Sequence, residues 1–375
     1  MRRIESRDRY RSYGTAGRAR MLFLKGGHVV MLPKKELGSD AAREGTLMSS
    51  RTDPLRIRTR LSASWLLAVT IVLAWSTPSA ARFPETPPRV LIIEAHPDDE
   101  TACAASVYKI THDLHGTVDL AVITDGQGGY KYSTLANDYY HLNLTDESIG
   151  RTNLPRIRRQ ELRAAGAILG IRHYTFFDQK DARYTLDIHE ALDSLWNVNS
   201  VLQESNRLLR KGHYDFVFTL LPTPSTHGHH KAACVLALRA AQALADTSSR
   251  PIVLALTGRK KGEPDSTNYT QLAGYPQTRV SDAAPGYSFD RTQSFGFNHA
   301  LNYEIIVNWE IAEHKSQGTM QLAMNGGDVE DFWYFDINPA SGRDRTKRLF
   351  DALAVNHYPE LTYPGEHVRA DRGHR

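Results

Sequence analysis

Two short stretches of this 375-residue chain carry residue types that do chemistry. The first is His96-Pro97-Asp98-Asp99-Glu100, one imidazole and three carboxylates in five residues; the second is His227-Gly228-His229-His230. Carboxylates this crowded repel one another, and burial strips their hydration, unless a cation or solvent balances them. Imidazole and carboxylate together form the donor set of a catalytic divalent-metal site, and a carboxylate left off the metal is free to move protons. Each stretch also has a plainer reading. The first fits a polar strand-to-helix turn, with Asp98 or Asp99 as N-cap and Pro97 fixing the backbone. The second fits a helix start with its imidazoles turned to solvent.

What positions the two stretches decides between these readings. Val90-Leu91-Ile92-Ile93 is apolar, β-rich and too short for a helix, as expected of a strand buried in a parallel sheet. Further strands are predicted over 118–124, 173–177, 214–221 and 251–256. Helices are predicted over 101–112, 156–169, 188–210 with a break near Asn197–Ser200, 231–244, 302–314 and 345–354. Strand and helix alternate from 90 to 256, which implies an α/β fold: a Rossmann-like three-layer sandwich with a mainly parallel sheet. Both polar stretches follow a strand and precede a helix, so they share the carboxyl edge of the sheet, where such folds bind ligands. That topology brings His96, Asp99 and one histidine of the second cluster around one ion. Asp125-Gly126-Gln127-Gly128-Gly129 after the second strand is a flexible turn on the same edge. It is not a dinucleotide fingerprint, so a reductase or methyltransferase reading lacks its motif. Residues 130–152 read as a Tyr-rich loop and 257–300 as a long surface excursion.

Composition bounds the rest. The formal charge is +4, but residues 1–60 hold 15 Lys and Arg against 6 Asp and Glu, leaving 31 against 36 for the other 315. No basic surface is implied for the folded part, and nucleic acid is not an expected partner. Residues 48–81 combine Arg51, Arg56, Arg58 and Arg60 with the uncharged stretch 61–75 and the small residues 76–81, the pattern of a secretory signal. Export to the periplasm or the extracellular space is therefore expected, with membrane contact only through an uncleaved anchor. Residues 1–47 read as an unstructured or spurious extension. Cys103 and Cys234 are read as buried free thiols, although an oxidising compartment permits a disulfide.

The chain resembles the PIG-L / LmbE-like family of zinc-dependent N-acetylglucosaminyl de-N-acetylases over about residues 88–320. The resemblance rests on AHPDDE (95–100), an R-x-x-E helix ending in Leu-Gly (158–170), His227-x-x-His230 and EHKSQ (313–317). It implies His96, Asp99 and His230 as ligands of zinc, or of another divalent metal such as iron(II). It also implies Asp98 as general base, His227 as the group that stabilises the oxyanion or protonates the leaving amine, and Arg158 as a contact to a substrate hydroxyl or phosphate, with Arg159 as its neighbour in register. The expected reaction is removal of the acetyl group from an N-acetylglucosamine-type conjugate. A deacylase of a larger or non-sugar amide and an exported carbohydrate-binding protein without turnover are the alternatives. Three departures from the family pattern stand out. Ser225 replaces an aromatic hydroxyl found in some relatives, His-Gly-His-His replaces the common His-Pro-Asp-His, and 257–300 exceeds the compact core. Residues 321–375 are expected to be a C-terminal extension that packs on the domain or is partly flexible.

Overall fold

The computed structural model describes residues 86–246, 250–265, 267–296 and 300–356. The expected N-terminal extension, 1–47, and the expected signal segment, 48–81, lie outside the described residues.

The sheet is built by burial on both faces. In β1 (Arg89–Glu94), Val90 and Ile92 enter one apolar core while Leu91 and Ile93 enter another. A strand covered on both sides has to be apolar throughout, which explains the uninterrupted run. β2 (Thr117–Thr124), β3 (Ile171–Gln179), β4 (Phe216–Leu220) and β5 (Ile252–Arg259) lie parallel to it in the spatial order β3-β2-β1-β4-β5. The order changes direction between β1 and β4, so a crevice opens beyond their carboxyl ends.

Along the chain the helices are α1 (Ala104–His112), α2 (Thr134–Tyr140), α3 (Glu147–Leu169), α4 (Val198–Gly212), α5 (Gly228–Gln242), α6 (Glu304–Glu313), α7 (Gly318–Gln321) and α8 (Gly342–Leu353). Apolar side chains of α1, α3, α6 and α8 fill the core under Val90 and Ile92, and those of α4 and α5 fill the core under Leu91 and Ile93. The three expected layers are present. Cys103 and Cys234 are buried free thiols, one in each core.

Several boundaries differ from expectation. β9 (Val329–Tyr334) pairs antiparallel with β5 and with β6 (Tyr287–Asp290), completing a seven-stranded sheet. A domain edge at residue 320 therefore cuts through the sheet. β9 is hard to read because Glu330 and Asp331 sit inside it. Both are buried: Glu330 accepts from Ala105 N (2.9 Å), Ser106 N (3.0 Å) and Arg291 Nε (2.9 Å), and Asp331 pairs with Arg259 at 2.6 Å. A carboxylate at the start of α1 takes the place of a local N-cap. The 257–300 excursion carries β6, β7 (Ser294–Gly296) and, just past its end, β8 (Leu301–Asn302), which pairs with β7.

The expected 130–152 loop is instead largely helical. A 3-10 segment Gln127–Tyr132 and α2 fold Tyr130 into a small core with Leu144, Leu154 and Ile157. α3 starts at Glu147, capped by Asp146 accepting from Ile149 N at 3.0 Å, and carries Pro155 inside it. The predicted start at 156 falls inside the helix, nine residues after its first. The break near Asn197 is present: a π-helical turn, Glu190–Leu195, ends there, and Asn197 caps α4 through Ser200 N at 3.0 Å.

Candidate active site

The turn after β1 is pinned by its own acid. Asp99 Oδ2 accepts from Ala95 N (3.0 Å) and His96 N (2.9 Å), folding the carboxylate back over the strand end. Asp98 occupies the N-cap position of the 3-10 turn Asp99–Cys103 but makes no capping bond, so its carboxyl is free for the cleft. The second stretch opens α5. His227 caps that helix by accepting from His229 N at 3.0 Å through Nδ1, so the plainer reading holds for its backbone. The rings, however, are not turned to solvent: His227 is 9% exposed and His229 0%. Gly228 is required by a close approach. A Cβ there would meet the Asp187 carbonyl oxygen at 2.3 Å, and its N–H donates to Thr185 O at 2.7 Å, which a proline could not do.

The two turns, 134 positions apart, close on each other. His96 Nδ1 lies 3.0 Å from His230 Nε2, His230 Nε2 lies 3.1 Å from Asp99 Oδ1, and His96 Nδ1 lies 3.7 Å from Asp99 Oδ2. These donors converge as a divalent ion requires, and His96, Asp99 and His230 form one of the groups able to hold a metal. The electrostatics also ask for positive charge. Burial alone would lower the His96 pKa, but Asp99 and Asp181 push it up to about 9. Burial alone would raise Asp99, yet His230 and His96 hold it well below the usual carboxylate range. Asp98 behaves oppositely: burial and then Asp99 raise its pKa.

Asp98, Arg158, Tyr132, Tyr184, Gln317 and Met320 line a cleft of about 370 Å³ beside these donors, and His227 opens onto it. Because His227 Nδ1 accepts the His229 N–H, its proton sits on Nε2, which donates to Arg183 O at 3.2 Å. The 3.4 Å approach of Thr185 N–H to that same nitrogen is then a contact only. Burial, followed by His96 and His230, lowers the His227 pKa to about 4, in keeping with a neutral ring. Arg158 is 3% exposed and donates to Gly126 O at 2.6 Å. Gly129 makes room for it, since a Cβ there would sit 2.7 Å from Arg158 Nη2. Arg159 faces away, pairing with Asp178 and stacking on Phe176.

Three groups were not anticipated as site residues. His229 places Nδ1 3.1 Å from His96 Nε2, and Asp181 Oδ1 stands 3.9 Å from His96 Nε2 and 3.6 Å from His229 Nδ1. Asp181 therefore supplies the negative charge that the second turn lacks at 229. It follows β3, and parallel topology alone would have put it on this edge. The third group is a strut, residues 310–317, beneath the first turn. His314 Nε2 lies 3.0 Å from both Glu100 Oε1 and Glu310 Oε1, and Thr101 Oγ1 donates to Glu310 at 2.9 Å. Gln317 Nε2 donates to Pro97 O, and Ser316 Oγ bonds Glu161 at 2.6 Å while accepting from Arg158 Nε at 3.4 Å. Glu100, Glu310 and His314 are wholly buried.

Residues 91–241 match the family described as PIG-L, GlcNAc-PI de-N-acetylase. The chain is 26% identical over 186 residues to a probable N-acetyl-alpha-D-glucosaminyl L-malate deacetylase 2 of Bacillus cereus, covering 48% of this chain and 74% of that one. Among solved structures it is similar to the N,N'-diacetylchitobiose deacetylase of Pyrococcus horikoshii, with 17% identity, a TM-score of 0.44, and coverage of 76% of this chain and 99% of that one.

Proposed function

Through residues 91–241 the chain belongs to the PIG-L family, and from that membership we propose that it is a metal-dependent N-deacetylase acting on an N-acetylglucosamine-type conjugate. The observation that carries this reading is the convergence of His96, Asp99 and His230 beside a carboxyl, Asp98, that is not among the three. The donor set suits zinc, with iron(II) as a second candidate. The chemistry that zinc supplies at such a site is Lewis-acid polarisation of the amide carbonyl and a more acidic attacking water.

The remaining roles fall to the chain's own side chains. Asp98 accepts the proton of the attacking water. Its burial raises its proton affinity, which suits a group that must first take a proton and then return it. His227 enters as a neutral ring, not as an imidazolium, and its Nε2–H exchanges Arg183 O for the developing oxyanion. Because that nitrogen carries the ring's single proton, the leaving amine takes its proton from Asp98. The bond between carbonyl carbon and nitrogen breaks, giving a free amine and acetate. Arg158, fixed under the glycine turn, contacts a hydroxyl or anionic group of the substrate. Tyr132 and Tyr184 supply flat surfaces at the rim of the cleft.

The test is acetate release from a panel of N-acetylglucosamine conjugates and longer N-acyl sugars, with and without chelator. Activity that disappears on chelation and returns with zinc supports the proposal; acetate release that persists in metal-free protein would sink it. Export remains part of the proposal through residues 48–81, and cell fractionation checks it.

A further inference from the structure

At the amino edge of the sheet, remote in topology from the cleft, lies a groove of about 260 Å³. Four cationic side chains line it: Arg89 at the start of β1, Arg172 at the start of β3, and Arg207 and Lys211 in the last turns of α4. The carboxylates nearby are already engaged. Asp119 is held by Arg172 at 2.9 Å and by Tyr214 Oη at 2.7 Å, Glu204 pairs with Arg207, and Asp215 accepts from Arg89 N at 2.9 Å and pairs with Arg345. Among the described residues neither Arg89 nor Lys211 has an ion-pair partner, and Arg89 Nε is buried without a hydrogen-bond acceptor. Cations at the end of α4 complement its dipole, but that does not explain why Arg89 and Arg172 arrive from two strand ends to the same groove.

We propose that this groove is an anion site that takes a phosphate group, held by Arg89, Arg207 and Lys211. Guanidinium forks match phosphate oxygens in pairs, and a buried, unpartnered Nε gains an acceptor when one arrives. The phosphate has two sources, a lipid headgroup or a free phosphate. The inference does not depend on the deacetylase reading.

The experiment uses the full chain, its Arg207→Gln/Lys211→Gln variant and an Arg89→Gln variant, with thermal melting to show that each still folds. Binding is measured to inorganic phosphate by calorimetry. Co-sedimentation uses phosphatidylcholine vesicles with and without phosphatidylglycerol. The expected result is binding to phosphate or to the anionic vesicles that weakens at least about tenfold in the double variant and falls with added salt. Phosphate binding alone assigns a soluble ligand, and vesicle binding that depends on phosphatidylglycerol assigns the headgroup. Equal affinity in wild type and variants, or no binding to either probe beyond phosphatidylcholine, overturns the site. Arg207 and Lys211 are exposed, so their replacement leaves the fold intact.

Discussion

The two edges of one sheet solve opposite electrostatic problems. At the carboxyl edge, acids and imidazoles are buried and interlocked: His229, Glu100 and His314 are each 0% exposed, and Asp99 answers to two histidines at once. At the amino edge Arg207 and Lys211 are exposed, Arg89 is half-buried, and their acidic neighbours are spoken for. Burial makes a charge expensive to leave unmatched, so the carboxyl edge demands defined partners. Exposure makes a charge cheap and screenable, so the amino edge favours any anion and weakens with salt. One surface is built to hold a specific arrangement, the other to attract.

The comparison breaks most visibly at the donors. Chelation of wild type should reduce acetate release to background, and His230→Ala should carry less than stoichiometric metal by elemental analysis. If His230→Ala keeps both metal and rate, His230 is not a ligand and the grouping of His96, Asp99 and His230 fails. Asp98→Asn should retain its metal yet lose about 10²–10⁴ in kcat. Retention of the wild-type rate would remove Asp98 from the proton path.

The strut comes next. Burial alone would lower the His314 pKa, but Glu100 and Glu310 raise it well above the ordinary value. A group raised on folding stabilises below its unfolded pKa of about 6.5 and ceases to do so as pH climbs through the folded value. The melting temperature should therefore fall on the alkaline side by roughly 2–4 °C per pH unit, and His314→Gln should flatten that slope. Melting that is insensitive to pH in wild type would contradict this. Smallest is Ser316→Ala, which frees Arg158 from one hydrogen bond; KM should rise about fivefold with kcat near wild type. A fall in kcat at constant KM would show that Ser316 acts on the first turn and not on Arg158. Raising the salt concentration should leave kcat nearly unchanged, which sharpens the contrast with the amino edge.

Much of this was readable from the chain. An apolar run ending in His-Pro-Asp-Asp-Glu, a later strand ending near His-Gly-His-His, and the alternation between them suffice to predict a parallel sheet with both turns on one edge. The misreadings share a cause. Glu330 and Asp331 hid β9 because their partners, α1, Arg291 and Arg259, lie far away in sequence. The first turns of α3 lay partly inside the stretch read as a Tyr-rich loop, and Tyr130 looked like a loop residue until its core with Leu144 and Ile157 formed. A net excess of acids over residues 61–375 concealed the amino-edge groove, since a sum over residues carries no information about which face they share.

Residue types and their order along the strands determined that imidazoles and carboxylates would meet at the carboxyl edge, because a parallel sheet leaves its strand ends no other side. Only the folded molecule decided that His230 faces Asp99 while His229 backs His96, that His227 keeps its proton on Nε2, and that Arg158 turns inward where Arg159 turns out. Those choices depend on ångström-scale contacts between segments more than a hundred positions apart or on one helix's rotation against its neighbour. Local pattern cannot encode either.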